Sequence, residues 1–434
     1  MCWYRGMTAR CSIAGALARS FALALALGLG LAPAMLGARV ARADPPRDID
    51  VLAQIDRLVR AKFYAPAALA ERRWDENVRA ARKELDKASP ARRHQILAAL
   101  VATLHTSHTE YFSPDDPRHA QLLSIFESIL PDNKAACPDL SKLPPLPIEV
   151  PDAGVWWVSI DARWYVGGVL DDGPAKRAGL VLGDEVVTAN GAPFQPVAAF
   201  AAGPGHPVRL AVRRTRGGAL LAITVEPRRI SPQAAFRSAL SASARIIERG
   251  PSRVAYIRIW SWAGDETQDA LEDAISSLND KAPTAFVLDL REGWGGAAPN
   301  YLRIFNRDVP VLRSTTRDGT VYAQDPHIRV PATVLVNRGS RSGKEIMAYA
   351  IKKHHLARLV GDNTAGAVLP GSPYCLDNGA ILYLTGSSLT VDGEVLEAKG
   401  VAPDVVVPFD LRYAEGRDPQ LEAALDSSPK ETGP

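Results

Sequence analysis

Cysteine, net charge and long apolar runs are all scarce in this 434-residue chain, and each shortage narrows what it can be. The one extended apolar run, Phe21 to Leu36, is preceded by Arg5, Arg10 and Arg19 and followed by Ala41-Arg42-Ala43, an A-x-A cleavage signal. Residues 1–43 therefore read as a secretory signal peptide, with an uncleaved anchor as the alternative; the run is short for a membrane span and contains Pro33. No cysteine stands near the cleavage point, which excludes a lipoprotein, and the expected location is periplasmic or secreted. The leader holds five arginines and no acid, so the formal charge of +3 gives way to 46 basic against 48 acidic residues once it is removed. With no basic patch and no arginine runs interleaved with aromatics, nucleic acid is excluded as a partner. Cys2 and Cys11 leave with the leader. Cys137 and Cys375 remain, to pair in an oxidising compartment or to stay as two free thiols, since sequence gives no distance between them.

What is present falls into three blocks, as a mature length of about 390 residues suggests. From 44 to about 135 the periodicity predicts helices: Leu52, Ile55, Leu58 and Val59 share one face, and Trp74, Val78, Ala81 and Leu85 share another. Ser89-Pro90 opens a third helix through Ile96, Leu97, Leu100, Val101 and Leu104. The stretch from Leu104 to Pro114 is too polar for core and too patterned for a linker. His105 and His108 lie in it without a third ligand at metal spacing, so no metal is expected. After a proline-rich linker at 137–147, residues 148–228 alternate strand-like runs with turn signals, among them Gly173-Pro174, Gly183-Asp184-Glu185, Asn190-Gly191 and a hairpin around Gly217-Gly218. Residues 229–434 alternate strands at 254–259, 284–290, 332–337 and 357–361 with helices at 265–278 and 344–351 and a further helix after Gly296. Such alternation argues an α/β layer with a mostly parallel sheet, whose sites form at the carboxyl ends of the strands.

The polar turn Gly339-Ser340-Arg341-Ser342-Gly343-Lys344 occupies such an end, between the 332–337 strand and the 344–351 helix. A hydroxyl there stands clear of the sheet beside helix N–H groups that lack partners and can bind negative charge. A phosphate loop would need four residues between the glycines, where there are three, and a Ser or Thr where Glu345 stands. A serine N-cap is the other local reading. Trp260, Trp262 and Trp294, the last beside Gly295-Gly296, either line an apolar subsite or pack in the core.

Residues 148–228, with Gly-Pro-Ala, Ala-Gly-Leu, Gly-Asp-Glu and Asn-Gly in that order, resemble a bacterial PDZ domain. That implies a polypeptide ligand added to a sheet edge, with a spacer domain as the alternative. The three blocks together resemble the serine peptidase family that includes the C-terminal processing peptidases and the tricorn core proteases. The motifs are Leu288-Asp289-Leu290-Arg291 with Gly295-Gly296, the turn from Gly339 to Glu345, and Gly400-Val401-Ala402-Pro403-Asp404-Val405. The resemblance implies an α+β multidomain chain: signal peptide 1–43, helical N-terminal domain 44–135, PDZ-like β-rich domain 148–228 and α/β catalytic domain 229–434 of the ClpP/crotonase-like type, without a cofactor. It implies Ser342 as nucleophile and the N–H groups of Gly343 and of Gly295 or Gly296 as oxyanion hole.

The processing peptidases use a lysine about 25 residues beyond the serine; Ala367 holds that place here, and Lys344, at i+2 on a helix, does not face Ser342. The tricorn branch instead uses a histidine preceded by serine, with a glutamate, and these fall on His108, Ser107 and Glu397. His108 then takes the Ser342 proton, while Glu397, partly through Ser107, holds the ring. The expectation is an exported serine endopeptidase acting on polypeptides, including those with free C-termini, and without a stable membrane span after leader cleavage. The alternatives are an inactive peptide- or ligand-binding protein of the same fold, and an esterase or amidase on small acyl substrates.

Overall fold

The computed structural model describes residues 48–427, so the leader expected at 1–43 lies outside the described residues. The central sheet has six strands in the order Arg245–Arg249, Ser252–Arg258, Ala285–Asp289, Ala332–Val336, Arg358–Gly361 and Val405–Val406. The first pairing is antiparallel and the others are parallel. Parallel strands need cover on both faces, and side-chain alternation supplies it. Ala255, Ile257, Phe286, Leu288, Val334 and Val336 pack with helices Asp265–Asn279 and Gly343–Lys353. Val254, Tyr256, Val287 and Leu335 pack on the other side with Ala424 and Leu425 of helix Pro419–Asp426. Ala285–Asp289 and Ala332–Val336 are buried throughout, and from their carboxyl ends run the loops at 290–296 and 337–342.

The helix expected after Gly296 is a 3-10 segment, Pro299–Phe305, followed by a hairpin of Leu312–Thr315 with Val321–Gln324. Tyr301, Ile304 and Phe305 are its buried residues, and a spacing of three faces one side of a three-residue turn.

Residues 155–225 form an antiparallel sheet whose edge strands are Val155–Ile160 and Leu220–Val225. Val166, Val186, Leu210, Val212 and Val225 close its core with helices Pro174–Ala178 and Pro196–Phe200. Asn190 at φ 49° and Gly191 at φ 85° supply the left-handed pair for a two-residue turn between Ala189 and Ala192. Arg214 clamps the buried carboxylate of Asp184 with two bonds of 2.8 Å.

A third, three-stranded sheet joins Glu110–Phe112, Ile381–Thr385 and Gly371–Cys375. Helices Asp48–Lys62, Trp74–Leu85 and Pro90–Ala102 bury Leu52, Ile55, Trp74 and Leu97 against Leu376, Leu382 and Leu384 of its hairpin. The N-terminal helices thus share their core with the C-terminal half. Cys137 and Cys375 are disulfide-bonded, with Cα atoms 4.7 Å apart, which settles the open question of their pairing and fastens the linker to this sheet. Among the described residues no helix is long and apolar enough to cross a membrane.

Candidate active site

At the end of strand Ala332–Val336 the chain turns through a set of local hydrogen bonds. Asn337 Oδ1 accepts from Gly339 N at 2.9 Å, and Ser340 Oγ accepts from Asn337 N at 3.1 Å while donating to Leu290 O at 2.9 Å. The buried Ser340 therefore latches two neighbouring strand ends together. Ser342 follows at φ 59° and ψ −130°, a conformation costing on the order of 1–3 kcal/mol in a non-glycine residue. Its side chain makes no cap bond, so the local N-cap reading fails. Its N–H donates to Ala367 O at 2.8 Å, which brings the 364–368 segment, without a lysine, directly against the turn.

Glycine is required where the second loop arrives. A Cβ on Gly295 would stand 2.5 Å from Ser342 Cβ and 2.7 Å from Gly343 N, and one on Gly343 would stand 2.4 Å from Ala297 N. The loops at 290–296 and 339–343 thus meet backbone to backbone. Among the described residues the N–H groups of Gly295, Gly296 and Gly343 have no hydrogen-bond acceptor. Unpaired donors clustered at a hydroxyl are what a developing oxyanion needs.

Buried charges brace this arrangement. Lys344 is fully buried, and its ammonium donates to Ile259 O at 2.7 Å, Trp260 O at 3.2 Å and Glu292 O at 2.6 Å. Burial pushes its pKa down to about 7, with the Arg258 charge acting in the same direction. All three of its donors are committed to those carbonyls. Glu345, pushed up by burial, accepts from Thr364 Oγ1 and from the N–H groups of Gly366 and Ala367, both at 2.6 Å. Arg291 bonds both Asp289 and Asp418 and so fixes the start of the 290–296 loop. Burial alone would raise the Asp289 carboxyl, but the Arg291 and Arg258 cations hold it well below the usual carboxylate range. Trp260, Trp262 and Trp294 are buried core residues that support the loop from beneath. Trp294 packs edge-on to Phe112 and Trp156 and donates Nε1–H to Gln121 at 2.9 Å.

His108 is buried at φ 51° beside the edge strand Glu110–Phe112. Its Nδ1 lies 3.3 Å from Ser107 Oγ, which donates to Glu397 Oε2 at 2.8 Å, and Ser107 N donates to Glu397 Oε1 at 3.0 Å. Val368 N also donates to Glu397, at 3.1 Å. The imidazole meets Tyr383 edge to face at 5.3 Å, and Gly371 is needed there because a Cβ would stand 2.8 Å from His108 Cβ. Ser107, His108 and Glu397 are therefore brought together, as are Ser342, Gly343, Gly295 and Gly296. Among the described residues no hydrogen bond joins Ser342 Oγ to the His108 ring. His105 is exposed, and the described residues contain no group of three or more His, Cys, Asp or Glu able to hold a metal.

Sequence reasoning missed a charged bridge between the two groups. Arg341 donates to Glu110 Oε1 at 2.9 Å, Arg118 donates to Glu110 Oε2 at 2.9 Å, and the Arg341 guanidinium lies 5.7 Å from the Trp294 ring centroid. The only local signals were a cation between two serines of a turn and an acid two residues beyond a histidine. Burial lowers the His108 pKa to about 3; the Arg341 cation adds to this and Glu110 opposes it. Neutral imidazole, the form able to accept a proton, is the resting state.

Residues 253–407 match peptidase family S41. The chain is similar to that family over this segment, which contains the Ser342 turn. It is 26% identical over 332 residues to carboxyl-terminal-processing peptidase 1 of Arabidopsis thaliana chloroplasts, covering 73% of this chain and 63% of the relative. A Synechocystis carboxyl-terminal-processing protease is 28% identical over 278 residues (59% and 63%), and the Bacillus subtilis carboxy-terminal processing protease CtpA is 26% identical over 260 residues (56% and 53%). The chain thus spans less than two thirds of the length of these curated relatives. Among solved structures, the photosystem II D1 C-terminal processing protease superposes with a TM-score of 0.49 at 17% identity, covering 90% of this chain and 99% of the other.

Proposed function

We propose that the chain is an exported serine endopeptidase that cleaves polypeptides through an acyl-enzyme, with Ser342 as nucleophile and His108 as general base. The observation that carries this reading is a strained, uncapped serine beside three unpaired backbone N–H groups. His108 takes the Ser342 proton as the hydroxyl attacks the scissile carbonyl and returns it to the leaving amine. Glu397, acting through Ser107, orients the ring and stabilises the imidazolium. Gly343 with Gly295 or Gly296 receives the oxyanion, a contribution of roughly 3–4 kcal/mol per donor.

The 148–228 block serves in this reading as a PDZ-like substrate-binding domain. A cavity of 520 Å³ bordered by Val155 and Trp157 of the free edge strand and by Val197 and Phe200 of the short helix is suited to an added peptide strand. Names of the curated relatives, carboxyl-terminal-processing peptidases, suggest substrates with free C-termini. The disulfide fits an oxidising, periplasmic or extracellular setting.

Labelling by a fluorophosphonate probe tests this directly. Wild-type protein is expected to label, and Ser342→Ala and His108→Ala to lose labelling. One observation favours the second reading, an inactive peptide-binding member of the family: Ser342 and His108 share no hydrogen bond. Catalytic bonds in free enzymes are often long and tighten with substrate. A well-folded wild type that does not label would decide for the binding protein.

A further inference from the structure

Arg118, Arg214, Arg228, Arg291 and Arg341, half-buried or buried, each meet at least one carboxylate, and the half-buried Arg72 donates to the Leu104 carbonyl and the Thr106 hydroxyl. Arg258, the last residue of a central strand, has no ion pair among the described residues, and its Nε is buried without an acceptor. Its guanidinium lies over the Trp260 ring, 3.7 Å from the centroid. The stack fits because Gly168 has no side chain; a Cβ there would stand 2.4 Å from Trp260 Cη2 and 3.2 Å from a terminal nitrogen of Arg258.

Arg258 borders a 780 Å³ cavity between the edge of the 155–225 sheet and the loops at the carboxyl ends of the central strands. Val158, Ile160, Leu182, Phe409 and Leu411 give it an apolar wall. The acids around the cavity are engaged elsewhere: Asp418 with Arg291, Asp362 with Arg338, Asp410 and Asp161 with Arg412, and Glu292 with the Asn337 amide. Asp289, which feels the Arg258 charge, is occupied by Arg291 and the Tyr256 hydroxyl.

We propose that Arg258 anchors a second ligand site in this seam, one that takes a carboxylate carried on an apolar body, the free carboxyl terminus of a short peptide. The proposal rests on the reading of the chain as acting on polypeptides. A guanidinium fork matches the two oxygens of a carboxylate, and one already stacked on an aromatic ring loses little hydration on pairing. The apolar wall accepts the terminal side chain. Glu292 borders the cavity and its carbonyl is held by Lys344, so the site abuts the rear of the loop that carries Gly295 and Gly296.

Isothermal titration of the full chain carrying Ser342→Ala with acetyl-Ala-Leu, its carboxamide and inorganic phosphate reads the site without turnover. The free acid is expected to bind about tenfold more tightly than the amide and than phosphate. Arg258→Gln should remove that preference, and so should Val158→Asp, which puts a carboxylate on the wall of the same cavity and covers the case in which Arg258→Gln does not fold. Val197→Glu, in the other groove, should leave it intact. The site is overturned by equal binding of acid and amide, by a preference that survives in both cavity variants, or by one lost only in Val197→Glu. Phosphate binding as tightly as the acid overturns the peptide-terminus assignment. Because binding is read in a chain without Ser342, a failure of the peptidase reading does not masquerade as a failure of this one.

Discussion

The Ser342 turn and the His108 turn each hold a non-glycine residue at positive φ, 59° and 51°, but by opposite means. Ser342 is held from inside the α/β layer, where its strand–turn–helix is fastened to neighbouring loops: Ser340 bonds Asn337 and Leu290, Lys344 grips the carbonyls of Ile259, Trp260 and Glu292, and Glu345 draws in the 364–367 segment. His108 is held from far along the chain: Glu397, 290 residues from Ser107, accepts from that serine, and Thr385 donates to its carbonyl at 2.6 Å. The Ser342 geometry is thus a property of the α/β layer, whereas the His108 geometry exists only once the three-stranded sheet has assembled. Two links couple the halves: Arg341 bonds Glu110, and the 367–368 segment accepts from Ser342 N–H and donates to Glu397.

The largest expected effect is on the local side. Ser342→Ala should lower peptide hydrolysis by on the order of 10⁴-fold or more while leaving the melting temperature about unchanged, because alanine keeps the Cβ that makes φ 59° costly and the hydroxyl it removes makes no cap bond. On the assembled side, His108→Ala should cost about as much, and Glu397→Gln about 10²-fold with the KM little changed, measured as steady-state rates on an unstructured protein substrate. Lys344→Met should act on stability instead. It leaves three carbonyls without their donor and should cost about 3 kcal/mol in denaturant unfolding, since removing a buried charge from its acceptors is expensive. Replacing Cys137 and Cys375 by serine should cost about 2–4 kcal/mol and should slow probe labelling more than it disturbs the Ser342 turn, because Cys375 ends the strand paired with Ile381 beside the His108 segment.

The finest test separates charge from scaffolding. In the proposed mechanism neutral imidazole is the working form, so activity should be lost as pH falls through the His108 pKa, which burial lowers to about 3. Removing the Arg341 cation favours the imidazolium, so Arg341→Met should move the acid limb and the His108 NMR titration to higher pH. Removing the Glu110 carboxylate disfavours it, so Glu110→Gln should move both to lower pH. A bridge that only props the two turns together would shift both variants the same way.

The same contrast explains what could be read from the sequence. The parallel sheet was legible because 285–288 and 334–336 are continuous apolar runs that only a sheet covered on both faces can bury. Ser342 stood out because a strand, a polar turn and a helix follow one another directly. The strand Glu110–Phe112 has three residues and pairs with Ile381–Tyr383 about 270 positions away, so no local period announces it. His108 and Glu397 were visible only through a resemblance, since a histidine in a polar stretch and a glutamate near a surface turn carry no local signature. The Arg118–Glu110–Arg341 bridge was invisible for the same reason, each member being an ordinary charged residue until the sheet brings them together.

Whether Ser342 is the nucleophile is read most directly by mass spectrometry of the fluorophosphonate-treated wild type, with the adduct located by peptide mapping. A single phosphonyl group is expected on the peptide containing Ser342, absent after His108→Ala. An adduct on another serine, or none on a folded protein, would contradict it.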